Sequence, residues 1–423
     1  MAGEWRVATV SDLQRERVLL VEDGNHGESR PRPNEFVDEG VAFIRAADMT
    51  MGGVLFDSAS RISDHARLRI TKGVGAPGDV LLSHKGTVGK VALVPADAPP
   101  FVCSPQTTFW RTLDQNVLDG RYLHSFLRSS GFHEQLRSRA GETDMAPYVS
   151  LTSQRMLSVI LPPIGIQRAI AHVLGTIDDK IDLLCRMNQT LEETARMLFK
   201  SWFVRSLGAN AKHLPIQTLL DAGMLQIGDG YRAKNSEMAS EGIPFARAGN
   251  VNNGFRFDDE DLLGEDAIRS ARDKLSQAWD VVFTSKGTVG RFAVVYPTTR
   301  RFVYSPQLCF WRSLDHERLN PMFLLCWMRS SAFIDQVATV SGQTDMALYV
   351  NLRDQRRMRI ALPTPAAQRE FGHTVRAIVE RVEINENQMA TLAETRDTLL
   401  PKLLSGALRI PDVERFLASE VRS

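Results

Sequence analysis

Two short turns with nearly the same sequence combine residue types that can bind phosphate groups. Each turn offers a lysine ammonium, a threonine hydroxyl and the open backbone of a glycine, and such groups together can hold phosphate oxygens. The residues are Lys85, Gly86 and Thr87 in the first turn and Lys286, Gly287 and Thr288 in the second. The tip of a β-hairpin also needs a glycine on backbone grounds alone, so a purely structural turn is the alternative interpretation.

A glutamine after each turn precedes a run of strand character that ends in a Phe-Trp pair. These glutamines are Gln106 and Gln307. A side-chain amide can form two hydrogen bonds with the edge of adenine, so both are candidates for reading a base. A buried amide that bridges neighbouring strands is the alternative.

Sequence signals for catalysis, cofactors and metals are missing. We find no glycine-rich cofactor loop after a strand, no Asn-Pro-Pro-aromatic element, no GxxxxGK[ST] phosphate loop and no HExxH. The cysteines form no CxxC pair and have no histidine at ligand spacing, so reduced thiols are expected. They are Cys103, Cys185, Cys309 and Cys326. We therefore expect no enzyme activity, no cofactor and no metal site.

An internal repeat is the strongest signal in the chain. Residues 79–114 and 280–315 are identical at 19 of 36 positions, with a constant lag of 201 residues. A period this long is not that of a solenoid, so each copy is expected to contain a domain of its own. Two such copies in one chain predict a pseudo-two-fold arrangement.

Composition bounds the class of protein. Hydrophobic residues at 43% and charged residues at 24% are typical of a soluble globular protein, and no apolar run approaches the roughly 18 residues of a membrane span. The N-terminus carries charges where a signal peptide needs apolar residues, which predicts a cytoplasmic location and no membrane contact. A net charge of +1 counts against a simple basic DNA-binding domain. Bound DNA would require cations on one face, with the acidic residues 258–261 elsewhere.

Each copy begins with β-rich patterns. Residues 80–94 and 281–295 are β-branched and apolar runs broken by the glycine turn, which predicts hairpins. Residues 101–111 and 302–312 are each predicted to form a further strand. A short helix follows, with Tyr122, Phe126 and Leu127 in the first copy and Phe323, Leu324 and Trp327 in the second.

A long helix is predicted over residues 166–204, because apolar residues recur there every seven positions. The two rows of this stripe are Ile170, Ile177, Leu184, Leu191 and Leu198, beside Leu174, Ile181, Asn188, Ala195 and Trp202. The second copy has Phe371, Ile378, Asn385, Leu392 and Leu399, beside Val375, Val382, Met389, Arg396 and Leu403. Each stripe is more than a small domain can cover, so the two helices are expected to pack on each other.

An antiparallel register follows from aligning the two stripes end to end. Ile170 then lies opposite Leu403, and Asn188 lies opposite Asn385. Two asparagines in such a seam can hydrogen-bond each other and fix the register. Packing explains the seam itself, and partner docking is assigned to the outward faces and to the end formed by Trp202 and Phe203.

The motifs together resemble the specificity subunit of Type I restriction-modification systems over nearly the whole chain. The resemblance rests on the doubled S/T-x-K-G-T-V-G turn, the SPQ-x-x-F-W-R strand, the segment LPPIGIQRAIAHVLGTIDDKIDLL and the segment LEETARMLFKSWF. The second copy departs from the pattern with Arg396 and Pro401 in place of Ala195 and Lys200, which leaves the end of the C-terminal helix open.

The resemblance implies a non-catalytic subunit that recognises double-stranded DNA. Two target-recognition domains would each read one half of a bipartite sequence, held apart by two antiparallel helices. In that family the subunit docks two modification subunits, which are methyltransferases, and through them the restriction subunits. A related phage-defence methylation system that uses the same reader is the alternative, and a purely structural coiled-coil scaffold is a weaker one.

The expected fold class is α+β, with two tandem mixed, β-rich target-recognition domains joined by two long antiparallel coiled-coil helices. The expected boundaries are 1–163 for the first domain, 164–207 for the central helix, 208–364 for the second domain and 365–407 for the C-terminal helix.

Residues that read different half-sites should lie where the two copies diverge, because shared residues build the fold or grip phosphate. The divergent segments are 21–35 and 57–75 in the first copy, and 224–242 and 256–275 in the second. Arginine suits bidentate contact with guanine, and a solvated charge run is the alternative. The candidates are Arg30, Arg32, Arg61, Arg67, Arg69 and Lys72, with Tyr231, Arg232, Lys234, Arg269, Arg272 and Lys274 in the second copy.

Overall fold

The computed structural model describes residues 5–50, 53–140, 147–204, 213–251, 254–257, 261–286, 289–341 and 350–408. The chain divides into two compact units. Unit 1 contains Met1–Leu183 together with Met389–Ser423, and unit 2 contains Leu184–Gln388.

Unit 1 contains ten strands and five short helices within its described residues, followed by the start of a long helix. The strands are β1 Arg6–Thr9, β2 Leu19–Asp23, β3 Phe36–Val37, β4 Val41–Ile44, β5 Arg61–Ile62, β6 Val80–Ser83, β7 Val91–Leu93, β8 Phe101–Cys103, β9 Thr107–Thr112 and β10 Ser158–Leu161. The helices are α1 Val10–Arg15, α2 Asp64–Arg69, α3 Gly120–Leu127, α4 Ser130–Arg139 and α5 Leu151–Arg155. The long helix is α6 Ile164–Phe199, continued by a π-helical turn at Lys200–Val204.

Two four-stranded sheets organise unit 1. One has the order β2-β9-β6-β7 and is antiparallel, and the other has the order β3-β5-β4-β8 with β4 and β8 parallel. The expected hairpin over 80–94 is confirmed as β6 and β7. The single strand expected over 101–111 is wrong, because the chain turns at Ser104 and divides the run into β8 and β9, which lie in different sheets. Proline in this turn removes one backbone donor and favours the break.

The antiparallel sheet of unit 1 is covered on both faces. Neighbouring residues of a strand point to opposite faces, and Phe109 and Trp110 of β9 are both buried in separate apolar clusters. The Trp110 face shares its core with Tyr122 and Phe126 of α3. A sheet buried on both faces explains why its strands are nearly continuous apolar runs.

Unit 2 repeats this arrangement. Its strands are β11 His213–Pro215, β12 Leu225–Asp229, β13 Met238–Ala239, β14 Ile243–Ala246, β15 Leu262–Leu263, β16 Val281–Thr284, β17 Phe292–Val294, β18 Val303–Tyr304, β19 Leu308–Ser313 and β20 Arg359–Ala361. Its helices are α7 Ile216–Asp221, α8 Glu265–Ala271, α9 Pro321–Met328, α10 Ser331–Ser341 and α11 Leu352–Arg357, and the last helix of the chain is α12 Pro365–Leu404. The sheet orders β12-β19-β16-β17 and β13-β15-β14-β18 match those of unit 1 strand for strand.

Helix α12 continues through Pro401 and ends at Leu404. Proline lacks the N–H that an interior helical position donates, but it lies in the last turn, where the following residues still close the helix. The amide of Ser405 donates to the carbonyl oxygen of Pro401 at 3.0 Å. The departure of the second copy at Pro401 therefore leaves the helix end intact.

Helices α6 and α12 run antiparallel where they meet in each unit. In unit 1, Ile170 and Leu403 belong to the same apolar core. In unit 2, Asn385 Nδ2 donates to Asn188 Oδ1 at 2.7 Å, which confirms the expected pairing of the two asparagines. The expected fold class, α+β with tandem β-rich domains and two long antiparallel helices, is confirmed.

The end of α6 is an internal part of unit 2. Phe203 is only 5% exposed, and its ring lies 5.2 Å from that of Phe323 and 4.9 Å from that of Phe371. Trp202 lies 5.9 Å from Phe371, ring to ring. The assignment of partner docking is therefore wrong for Phe203, which fills the core, whereas Trp202 is half-buried and packs against that core.

Candidate nucleic-acid interface

The best-matched residues of the two copies hold the fold together. Arg111 forms two hydrogen bonds with the buried Asp79, at 2.7 and 2.8 Å, and Arg312 does the same with Asp280 at 2.7 Å. The equivalent Trp110 and Trp311 each donate from Nε1 to a buried glutamine side chain. Residues that are shared between the copies thus satisfy buried polar groups, as expected for positions that build the fold.

The first glycine turn lies between β6 and β7 and combines structural and exposed residues. Gly86 has a φ of +79°, which favours glycine, and its amide donates to the carbonyl oxygen of Pro147 at 3.0 Å. Lys85 and Thr87 are exposed, and the Lys85 ammonium lies 5.9 Å from the ring centre of Tyr148. The glycine is therefore explained by the backbone, while the two side chains beside it are accessible to a ligand.

The second turn is described only in part. Lys286 is exposed, as Lys85 is, whereas Gly287 and Thr288 lie outside the described residues.

Gln106 and Gln307 are both exposed, so the alternative of a buried amide that bridges strands is wrong. The Gln307 Oε1 atom accepts the amide of Ala248 at 3.1 Å. The side chain of Gln106 forms no hydrogen bond within the described part of the chain. Each glutamine follows the proline of the turn that divides the expected strand, a position that leaves the side chain in solvent.

Four exposed cations occupy equivalent positions in the two units. Arg30 and Arg32 precede β3, and Arg232 and Lys234 precede β13. In each unit a glutamate three residues further on accepts a backbone hydrogen bond. The amide of Arg32 donates to Glu35, and the amide of Lys234 donates to Glu237, both at 2.7 Å. This shared turn presents the cationic side chains outward in both copies.

Sequence comparison at a lag of 201 residues missed this equivalence. The two turns are separated by one residue more than the 201-residue lag of the shared motifs. At that lag their residues do not align, so the turns were placed in the divergent segments. The common glutamate, followed by a short strand, is the signal that would have revealed it. Because both copies keep a cation at these positions, phosphate contact suits them better than base reading.

Three candidates of the first copy are engaged within unit 1. Arg69 forms two hydrogen bonds of 2.8 Å with Glu35, and this contact lowers the pKa of the Glu35 carboxyl to about 2. Arg61 donates to the carbonyl oxygen of Gly40 at 3.2 Å, and Arg67 to its own helix end. These three arginines are half-buried, and Lys72 is exposed.

In the second copy, too, some candidates are engaged in contacts within their unit and others are exposed. Lys274 Nζ lies 3.1 Å from Asp229 Oδ1, and the Tyr231 hydroxyl donates to its neighbouring glutamate at 2.8 Å. Arg269 pairs with Asp266 at 3.2 Å on the exposed surface. Arg272 is exposed with a φ of 39°, an uncommon backbone conformation for a residue with a side chain.

Helices α2 and α8 are equivalent elements whose exposed residues differ most between the copies. Unit 1 presents His65 and Leu68 there, the latter 82% exposed, whereas unit 2 has Asp266 and Arg269 at the same positions. Sequence reasoning restricted to cations overlooked His65 and Leu68. An exposed leucine on a short helix is the signal that could have drawn attention to them.

The described residues contain neither a cluster of three or more possible metal ligands nor a helix long and apolar enough to cross a membrane. The four cysteines are not joined in disulfides, and all but Cys185 are buried. Burial raises the pKa of the Cys326 thiol to about 12.

The chain is similar to several curated proteins of one kind. It is 24% identical over 355 residues to the Type I restriction enzyme MjaIX specificity subunit of Methanocaldococcus jannaschii, covering 79% of each protein. It is 30% identical over 169 residues to the HindI specificity subunit of Haemophilus influenzae, which covers 39% of this chain and 36% of that one. No protein-family model matches the sequence.

A solved structure has the same fold. The crystal structure of a Type I restriction-modification S subunit from M. genitalium covers 94% of this chain and 96% of its own, with a TM-score of 0.54 and 16% sequence identity. The chain is therefore a duplicated α+β protein with two long antiparallel helices. It is similar in sequence to specificity subunits of Type I restriction enzymes, and it shares its fold with a Type I restriction-modification S subunit.

Proposed function

We propose that this chain is the sequence-specific DNA-recognition subunit of a Type I restriction-modification complex in the cytoplasm. The target-recognition domains, residues 1–163 and 208–364, each read one half of a bipartite target in double-stranded DNA. The helices over 164–207 and 365–407 set the separation of the half-sites. They also dock two methyltransferase subunits and, through them, the restriction subunits.

The observation that carries the proposal is the doubled set of exposed cations. Arg30 and Arg32 in unit 1 and Arg232 and Lys234 in unit 2 occupy equivalent turns, and none forms an ion pair with the described part of the chain. Four free cations at two equivalent places suit contact with two stretches of DNA backbone. They also answer the objection raised by the net charge of +1, because a local concentration of cations is sufficient for phosphate binding.

Base reading is assigned to exposed residues that differ between the units. Within 57–75 and 256–275 these include His65 and Leu68 of α2, and Arg269 of α8. Gln106 and Gln307 remain candidates, since both amides are exposed. Arg69 and Lys274 are better explained as structural ion pairs.

The test is a gel-shift titration of the chain with its methyltransferase subunits, on the duplex selected from a random pool, at several salt concentrations. We expect binding that weakens as salt rises. In the variant R32A/K234A the slope of log affinity against log salt should decrease by about two, one for each lost phosphate contact.

The matched control is R15A, which removes an exposed arginine that is not assigned to DNA contact and already pairs with Asp12 at 2.7 Å. It should leave the salt slope nearly unchanged. Failure to select any duplex, or equal slopes for R32A/K234A and the unmodified chain, would contradict the proposal.

A further inference from the structure

The polar residues of the helix seam stand at positions that are not equivalent in the repeat. At the lag of 201 residues, Asn188 of α6 corresponds to Met389 of α12, and Asn385 of α12 corresponds to Leu184 of α6. Each helix therefore carries one asparagine, but at a different place. Duplication alone would have put them at the same place.

The two asparagines form a hydrogen bond with each other only because unlike helices meet. Asn385 is fully buried and Asn188 is 8% exposed. Asn385 Nδ2 donates to Asn188 Oδ1 at 2.7 Å, and Asn188 Nδ2 lies 3.4 Å from the carbonyl oxygen of Val382. A buried amide that lacks such partners is strongly destabilising.

Two copies of the same helix could not form this hydrogen bond between asparagines. When the register is transferred to two copies of α6, Asn188 lies opposite Leu184. Two copies of α12 would place Asn385 opposite Met389. In both cases each seam would bury two asparagine side chains without their partner.

A second polar contact between α6 and α12 also depends on residues that are absent from the equivalent position of the other helix. In unit 1, Arg396 Nη1 of α12 donates to Asp178 Oδ1 of α6 at 3.0 Å, and Arg128 approaches the other carboxylate oxygen at 2.6 Å. The repeat equivalent of Asp178 is Val379, and that of Arg396 is Ala195. Two copies of α12 would thus bury Arg396 against a valine, leaving it only its sequence neighbour Asp397 as a partner.

We propose that these two contacts make α6 and α12 select each other and reject a second copy of themselves. The seam face of α6 fits α12 and discriminates against α6, and the converse holds for α12. The helices of a duplicated chain are otherwise similar enough for like pairs to compete. The asparagine pair in unit 2 and the Asp178–Arg396 pair in unit 1 are separate determinants of this choice.

The experiment uses the full chain with a protease site placed within residues 205–212, cut after purification. The two fragments are separated in denaturant, allowed to reassociate together, and counted by native mass spectrometry as unlike or like pairs. For the unmodified sequence we expect unlike pairs only, with like pairs below about one in a hundred, since each like pair leaves two buried amides unsatisfied.

The decisive variant gives both asparagines and Arg396 the residues found at their repeat equivalents, N188M/N385L/R396A. We expect the ratio of like to unlike pairs to rise at least about tenfold. The matched control is Q189L/Q388L, which adds apolar side chains at exposed positions of the same helices and should leave the ratio unchanged. An unchanged ratio in the decisive variant, or abundant like pairs in the unmodified chain, would overturn the proposal.

A second measurement covers the case in which the triple variant reassociates poorly. The nicked single variants N188M and N385L should separate at lower denaturant than the double variant N188M/N385L, because each single change leaves one asparagine unpaired. If the effects of the two single changes simply add in the double variant, the asparagines do not recognise each other and the proposal is wrong.

Discussion

At the scale of single residues, an arginine paired with a buried aspartate recurs in both units and connects strands within the β-rich domain. In unit 2, Arg312 and Asp280 are both buried, and the Tyr304 hydroxyl donates to the same carboxylate at 2.7 Å. Burial together with the Asp280 carboxylate raises the pKa of this tyrosine well above its usual value. The pair therefore belongs to a closed network, in which the loss of one member leaves the others unsatisfied.

We expect D280N to destabilise the chain by about 3 to 5 kcal/mol, because it leaves the Arg312 guanidinium buried without its counter-charge. The measurement is chemical unfolding followed by tryptophan fluorescence, since Trp311 lies beside the pair. D266N removes an exposed aspartate and should change the unfolding curve little. Equal curves for the two variants would show that the network does not stabilise the fold.

Glu386 of α12 predicts a pH dependence of stability. Burial raises the pKa of its carboxyl to about 8, with Glu192 and Glu383 adding to the shift and Arg329 and Arg256 opposing it. The unfolded chain releases this proton near pH 4.5, so between about pH 4.5 and 8 the folded state holds more protons. The stability that protonated Glu386 confers is complete below about pH 4.5 and is lost as the pH rises toward 8.

The variant E386Q should therefore unfold at a higher temperature than the unmodified chain at pH 8, with the difference shrinking toward pH 5. Thermal unfolding at both pH values measures this, and the exposed Glu394 supplies the control variant E394Q. A constant difference between pH 5 and pH 8 would show that Glu386 does not cause the pH dependence.

At the residue scale, the sequence identifies candidate residues by their type but does not show which residues they contact. It selected Arg69 and Lys274 for their charge, but a single sequence does not show that Glu35 and Asp229 lie beside them. These carboxylates are 34 and 45 residues distant along the chain. Such pairs depend on tertiary contacts that local patterns do not encode.

At the scale of elements, the long helices were the most predictable part of the fold. A sustained seven-residue period fixes both the existence of a helix and the face that it buries, and the opposed stripes then fixed the register of Asn188 and Asn385. The strand expected over 101–111 failed for a local reason. Its apolar character continues across Ser104 although the backbone turns there, so periodicity alone gives no sign of the break.

Lengthening both helices tests their role in spacing. Four helical residues inserted after Ile181 and four inserted before Leu392 add about 6 Å to each helix and keep the asparagine pair in register. We expect the spacer of the target to grow by about two base pairs, at 3.4 Å each. Methylation mapping with the methyltransferase subunits measures the spacer.

The control for that experiment replaces the same number of exposed helical residues without adding any. It should give the original spacer. An unchanged spacer in the lengthened chain would show that the helices do not set the separation of the half-sites.

At the scale of the whole molecule, the net charge gives no indication of the exposed cations that we propose to contact DNA. A net charge of +1 arises from 51 basic and 50 acidic residues, yet equivalent turns of both units expose free arginines and a lysine. The repeat was visible at once in the sequence. The equivalence of these turns was not, because insertions shift the lag from one segment to the next.

If the two domains read DNA independently, exchanging one divergent segment should change one half-site only. Replacing residues 57–75 with residues 258–276 substitutes the whole of α2 by its counterpart α8. We expect methylation mapping to find an altered first half-site beside an unaltered second one. The reverse exchange should alter only the second half-site, and a change at both half-sites in either chimaera would contradict independent reading.

Unit 1 is built from two distant parts of the chain, and this has a consequence for synthesis. Leu399 and Leu403 complete a core that begins with residues near the N-terminus. A ribosome makes these leucines only after all of unit 2, so Ile170 and Leu174 stay without these neighbours until unit 2 has been synthesised. Unit 1 thus begins before unit 2 and is completed after it, and a chain terminated within unit 2 would expose apolar surface and become a substrate for chaperones and proteases.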